Sequence, residues 1–150
     1  MNRSITRAES RLKTSALIMI ALLSIQFFAG IFANLYVDFP KGVDGMTVVR
    51  GSLALSVHLA LAVLIELAGL AFLIASIVFR RARWIIASAV GFAAILFSIT
   101  NGFAFVESAG THDLNSFLMA TGFIVSLLAY FAGIAFAQAK TAPDQQQGSP

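Results

Sequence analysis

Three side chains in this sequence have both the chemistry and the setting to do more than pack. His58 and Glu66 lie within one long apolar run, and His112 stands just ahead of another. A charged group at the centre of a bilayer costs on the order of 2.5–3.5 kcal/mol on the insertion scale, so an ionisable residue inside a span is a functional candidate by default. His58 and Glu66 are eight residues apart, about 12 Å along a helix axis. They cannot share one ligand atom, but they can mark a path. The two histidines offer a different chemistry. If the helix after His112 begins one turn early, His112 shares a face with Met119 and Ser126 and points into the bundle, toward His58. Two neutral imidazoles approaching from opposite sides supply the axial nitrogens of a six-coordinate haem. The 14 phenylalanines supply apolar surface for a porphyrin between helices. The expectation is haem b held by His58 and His112.

Plain structural roles compete with each of these. His58 can be a neutral histidine satisfied by Asn34, Asn101 or a backbone carbonyl. His112 can be an exposed residue of Thr111-His112-Asp113, with Asp113 or Asn115 starting the next helix as a cap. Glu66 can donate a hydrogen bond to a neighbouring helix as a neutral acid, or carry protons or a cationic substrate in a small transporter. Gln26, Asn34 and Asn101 need partners too, because an amide in hydrocarbon has no water to bond; with Glu66 they form a polar seam. A zinc site of His58, His112 and Asp113 or Glu107 is a third arrangement. No nucleophile stands beside a base and the glycines are scattered rather than gathered into a phosphate loop, so no catalytic residue is assigned. The chain has no cysteine, which excludes disulfides, thiolate metal sites, thiol catalysis and covalent c-type haem.

The elements that must position these groups follow from composition. Of 150 residues, 59% are hydrophobic and 11% charged, with a mean hydropathy of +0.88, against about 25% charged in soluble domains. Too few charges remain to coat a core with a polar skin, so the apolar side chains face lipid. A spanning helix needs roughly 20 apolar residues, and four stretches satisfy that: residues 15–37, 53–79, 84–106 and 116–137. They predict an all-α integral membrane four-helix bundle within residues 14–139. A basic segment, 1–13, precedes it and a polar tail, 140–150, without apolar residues to bury, is expected to be disordered. The first run is too long for a signal peptide and lacks a small-x-small cleavage site.

Direction follows from the bases near span ends. Arg3, Arg7, Arg11, Lys13, Arg80, Arg81, Arg83 and Lys140 fall on one side; only Lys41 and Arg50 fall on the other, with Asp38, Asp44, Glu107 and Asp113. The expected topology places both termini in the cytoplasm of a multi-pass cell-membrane protein. The short link Arg80-Arg81-Ala82-Arg83 makes a tight hairpin, and Phe39-Pro40-Lys41-Gly42 with Asp44-Gly45 makes an ordered outer cap. No basic stripe with interleaved aromatics exists for nucleic acid.

Small and polar residues mark the faces where helices meet in lipid. Ala87, Gly91, Ala94, Ser98, Asn101 and Phe105 form one such stripe, and Met119, Ser126, Tyr130, Gly133 and Ala137 another with Gly122 at its edge, so these two helices should pack together. Gln26, Gly30, Ala33 and Asn34 share a side of the first helix. His58, Ala62, Glu66, Gly69 and Ser76 share one of the second.

The four-span layout, with Ser56-Val57-His58-Leu59-Ala60 on the second span, resembles one four-helix half of the haem A synthase family. That resemblance implies a membrane bundle with histidine ligands near the outer side of the second and fourth helices, His58 matching the first and His112 standing for the second. The chain departs from the family in having one bundle, no cysteines in the first outer loop, and a histidine that precedes its helix. Haem binding, as a b-type cytochrome or haem-handling accessory subunit, is therefore the leading expectation. The alternatives are a proton-coupled transporter centred on Glu66 and assembled as a homo-oligomer, and a non-catalytic subunit of a larger membrane complex packing on partner helices.

Overall fold

The computed structural model describes residues 2–40 and 42–139, and the side chains of 7–40 and 42–137. Lys41, Lys140 and the tail for which disorder was expected lie outside the described residues. Five helices follow in order: α1 Asn2–Tyr36, α2 Gly45–Gly51, α3 Leu53–Val78, α4 Ala82–Glu107 and α5 Asp113–Ala139. All but α2 contain a stretch long and apolar enough to cross a membrane. α1 begins at Asn2, well before the expected residue 15, because the inward stripe continues below the apolar run: Leu12, Ala16, Met19 and Leu23 are all at most 3% exposed. The basic segment is thus the first turns of the same helix.

α1 packs on α3 and α5, and α4 packs on the same two, most extensively on α5. α1 therefore stands diagonally across from α4, and α3 from α5. The α4–α5 contact is the one the small-residue stripes predicted. A methyl group at Gly91 would lie 2.6 Å from Tyr130 Cζ, one at Gly133 2.9 Å from Trp84 Cζ3, and one at Gly122 2.8 Å from the Ala94 carbonyl oxygen. Trp84 and Tyr130 are fully buried, each set on the hydrogen surface of the glycine opposite, and Phe72 of α3 meets both rings at 5.9 and 5.6 Å between centroids. Ser98 adds a hydrogen bond across this interface, its hydroxyl donating to the Met119 carbonyl at 2.7 Å.

Both helix ends that turn toward the next span close in the same way. At the end of α3, Arg81 N–H reaches back to Ser76 O and Arg80 N–H to Ile77 O; at the end of α4, Gly110 N–H reaches Phe105 O and Ala109 N–H reaches Val106 O. These paired bonds satisfy carbonyls left over by the helix and need one residue in the left-handed region. Arg80 and Ala109 occupy it, both at φ 51°. The outer cap is a short helix. Asp44 accepts from Thr47 N–H at 3.0 Å to start α2, Gly45 lies against the Val106 carbonyl of α4, and the Val49 carbonyl accepts from the Ser56 hydroxyl at 2.9 Å.

Gly91→Ala forces the Tyr130 ring out of its seat and is expected to lower stability by about 1–3 kcal/mol. Gly51→Ala, where a methyl group meets nothing within 4 Å, should not lower it. Ala109→Gly removes an unfavourable left-handed alanine and should raise stability by up to about 1 kcal/mol. Unfolding by denaturing detergent, followed by circular dichroism, measures all three.

Candidate functional site

Polar side chains are so scarce in the spans that each contact they make is informative. On α1, Gln26 is half-buried and turns toward α3, where its amide nitrogen donates to the His58 carbonyl at 3.1 Å and lies 3.3 Å from His58 Nε2. The imidazole reaches this position because Gly30, one turn further along α1, has no side chain; a methyl group there would lie 3.0 Å from His58 Cε1. Backbone geometry fixes the chemistry of the pair. A carbonyl can only accept, so the Gln26 atom facing it must be the NH₂ group, and that group's second hydrogen points to His58 Nε2. Nε2 then accepts, which puts the ring proton on Nδ1. Two atoms are left over: Gln26 Oε1, an acceptor, and His58 Nδ1, a donor, are both buried and without a partner among the described residues. A buried polar atom without a partner costs about 1–3 kcal/mol, so the pair presents one donor and one acceptor with chemistry still to be satisfied.

The other candidates do not join it. His112 is exposed on the turn before α5, where its carbonyl accepts from Asn115 N–H at 3.0 Å. The helix begins at Asp113, nearly one turn ahead of the expected residue 116, and His112, directly before it, is nonetheless exposed, with no hydrogen bond to His58 among the described residues. Asn34 is exposed. The Asn101 amide donates to Phe97 O of its own helix at 2.8 Å rather than across an interface, because a helix interior offers a carbonyl one turn back. Glu66 is half-buried, with no ion pair among the described residues, whereas its neighbours Ile65 and Gly69 face the core. Among the described residues no three His, Asp or Glu side chains converge, so the zinc grouping of His58, His112 and Asp113 or Glu107 is not assembled.

No family model, curated protein or solved structure matches this chain. Its own geometry therefore carries the reading, and that geometry includes a polar contact the sequence pattern missed. At the end of the bundle that holds the 80–83 turn, Glu9 accepts from Trp84 Nε1 at 2.7 Å and pairs with Arg83 at 2.5 Å, while Arg83 also donates to Phe136 O at 3.4 Å. One carboxylate and one guanidinium thereby tie α1, α4 and α5 together. The signal was a lone acid among the bases before the first span, and the chain's single tryptophan just after the turn.

Gln26→Leu strips His58 Nε2 of its donor and should cost about 1–2 kcal/mol. In a cycle with His58→Leu the two changes should show a coupling of roughly 0.5–2 kcal/mol, measured by the same detergent unfolding. A coupling of zero would dissolve the pair.

Proposed function

We propose that this chain is a multi-pass protein of the cell membrane, both termini cytoplasmic, that binds a neutral lipophilic molecule at the Gln26–His58 pair. The observation that carries this reading is the adjacent buried and unpartnered donor and acceptor, Nδ1–H of His58 and Oε1 of Gln26. Apolar ligand sites use a few convergent polar atoms to fix orientation. A head group such as a hydroxyl, carboxylic acid or amide, which both gives and takes a hydrogen bond, satisfies the two atoms together. A phosphate-bearing lipid fits poorly here, because His58 lies about one and a half turns inside α3 and a full charge at that depth is costly. The pair lies at the margin of the α1–α3 contact, beside the exposed Phe27 and Val57, so entry is from the side, out of the lipid.

Haem b is the second reading, favoured by one fact: His58 keeps a ring nitrogen without a partner. The donor set fits it less well. Nε2 is engaged by Gln26 and Nδ1 carries the proton, so His58 offers iron a lone pair only once the Gln26 amide turns away. His112 would have to leave its exposed turn to supply a second ligand. Glu66 as a proton carrier rests on its half-buried place in the span, and partner helices on the apolar surface around it.

Extraction of the detergent-purified protein followed by mass spectrometry should recover a lipophilic compound in stoichiometric amount from the native chain and not from Gln26→Leu. A recovery unchanged in that variant, or a pair bridged by water alone, would overturn the reading. An absorption band near the Soret region that reduction sharpens, and that His58→Ala removes, would replace it with haem. For topology, the cysteine-free sequence allows single-cysteine labelling: Thr111→Cys should react with a membrane-impermeant maleimide in intact cells and Ala82→Cys should not.

A further inference from the structure

The basic end of the bundle carries an unbalanced charge. Arg7, Arg11, Lys13, Arg80, Arg81 and Arg83 stand at this end against one acid, Glu9, among the described residues, and Glu9 is already engaged by Arg83 and Trp84. Among the described residues five bases are left without a carboxylate, and one of them, Arg81, has a buried Nε with no hydrogen-bond partner there.

Beside this cluster α1 and α3 leave an open groove of about 410 Å³, lined by Ser10, Arg11, Leu12, Thr14 and Ser15 of α1 and by Ala75 and Phe79 of α3. Residues 10–15 straddle the start of the apolar run, while Ala75 and Phe79 belong to the last turn of α3 and its cap. In a bilayer that level is the boundary between acyl chains and head groups. The lining is mixed: a guanidinium, three hydroxyls and Leu12 on the α1 wall, a methyl group and an aromatic ring on the α3 wall. Guanidinium and hydroxyl groups are donors matched to phosphate oxygens, and basic pockets between membrane helices are suited to anionic head groups.

We propose that this groove is a binding site for an anionic phospholipid. Arg11 and the hydroxyls of Ser10, Thr14 and Ser15 donate to the phosphate, and the acyl stem descends beside Ala75 and Phe79. The surrounding bases raise the local concentration of anionic lipid, but only Arg11 among them lines the groove. The proposal rests on a bilayer surrounding the four long helices and is independent of the Gln26–His58 reading.

Native mass spectrometry of the full chain, delipidated and then titrated with phosphatidylglycerol or phosphatidylcholine, tests it. One phosphatidylglycerol should be retained in preference to phosphatidylcholine. Arg11→Gln should weaken retention about fivefold, the weight of one base at a membrane surface, and the triple change Ser10→Ala, Thr14→Ala, Ser15→Ala should weaken it several-fold with every charge kept. Arg7→Gln removes the same charge outside the groove, without a donor to the phosphate, and should weaken retention less than Arg11→Gln does. Equal losses for Arg7→Gln and Arg11→Gln, or an unaffected triple variant, would reduce the effect to diffuse charge and overturn the site. Displacement of the lipid by millimolar inorganic phosphate would assign the groove to free phosphate instead. If Arg11→Gln does not fold, the triple variant decides alone.

Discussion

The distance between α4 and α5 is the constraint on which the rest of this bundle depends. In lipid there is no hydrophobic gain from bringing two leucine-covered helices together, so close contact has to come from small residues that let backbones and rings interlock. Gly91, Gly122 and Gly133 provide it. Because α4 sits tight on α5, Trp84 and Tyr130 can bury completely at their contact, and Phe72 of α3 can lie against both rings. α1 then closes the remaining side, its Leu12, Ala16 and Met19 filling the inner stripe.

The resulting order is uneven along the membrane normal. The fully buried side chains, Leu12, Met19, Ser76, Trp84, Ser88, Ser126 and Tyr130, come from the half nearer the basic end. Toward the other end Phe28, Phe32, Leu35 and Tyr36 of α1 are all more than half exposed, and the Gln26–His58 pair lies at the transition. Side chains in the less densely packed part of a fold have fewer neighbours to hold them, and the tight half anchors the helices.

What the sequence made legible follows the physics of one-dimensional patterns. Four long apolar runs and the small-residue stripes of α4 and α5 were readable because helical periodicity repeats along a single element. Ser98, Tyr130 and Gly133 sit where that periodicity placed them. The polar contacts were less legible because an amide has several ways to be satisfied. Asn101 uses its own helix and Asn34 points outward, choices that depend on a few tens of degrees of helix rotation. The Gln26–His58 bond depends on how α1 rotates against α3, and the Glu9–Trp84 bond joins residues 75 positions apart, outside any apolar run. For His112 an early helix start is not enough: α5 begins at Asp113, and the residue before it still lies on the exposed turn.

The outer helix α2 has a consequence for the order in which the protein is made. In the chain it lies between the first two spans, yet its first residue seats on the last turns of α4 through the contact of Gly45 with Val106. When α1 and α3 have left the ribosome, the surface that receives α2 has not yet been made. The segment must therefore wait until α4 is in place, and only then can Gly45 seat against Val106. A loop that looks like a simple connector thus docks on an element that follows it in the chain.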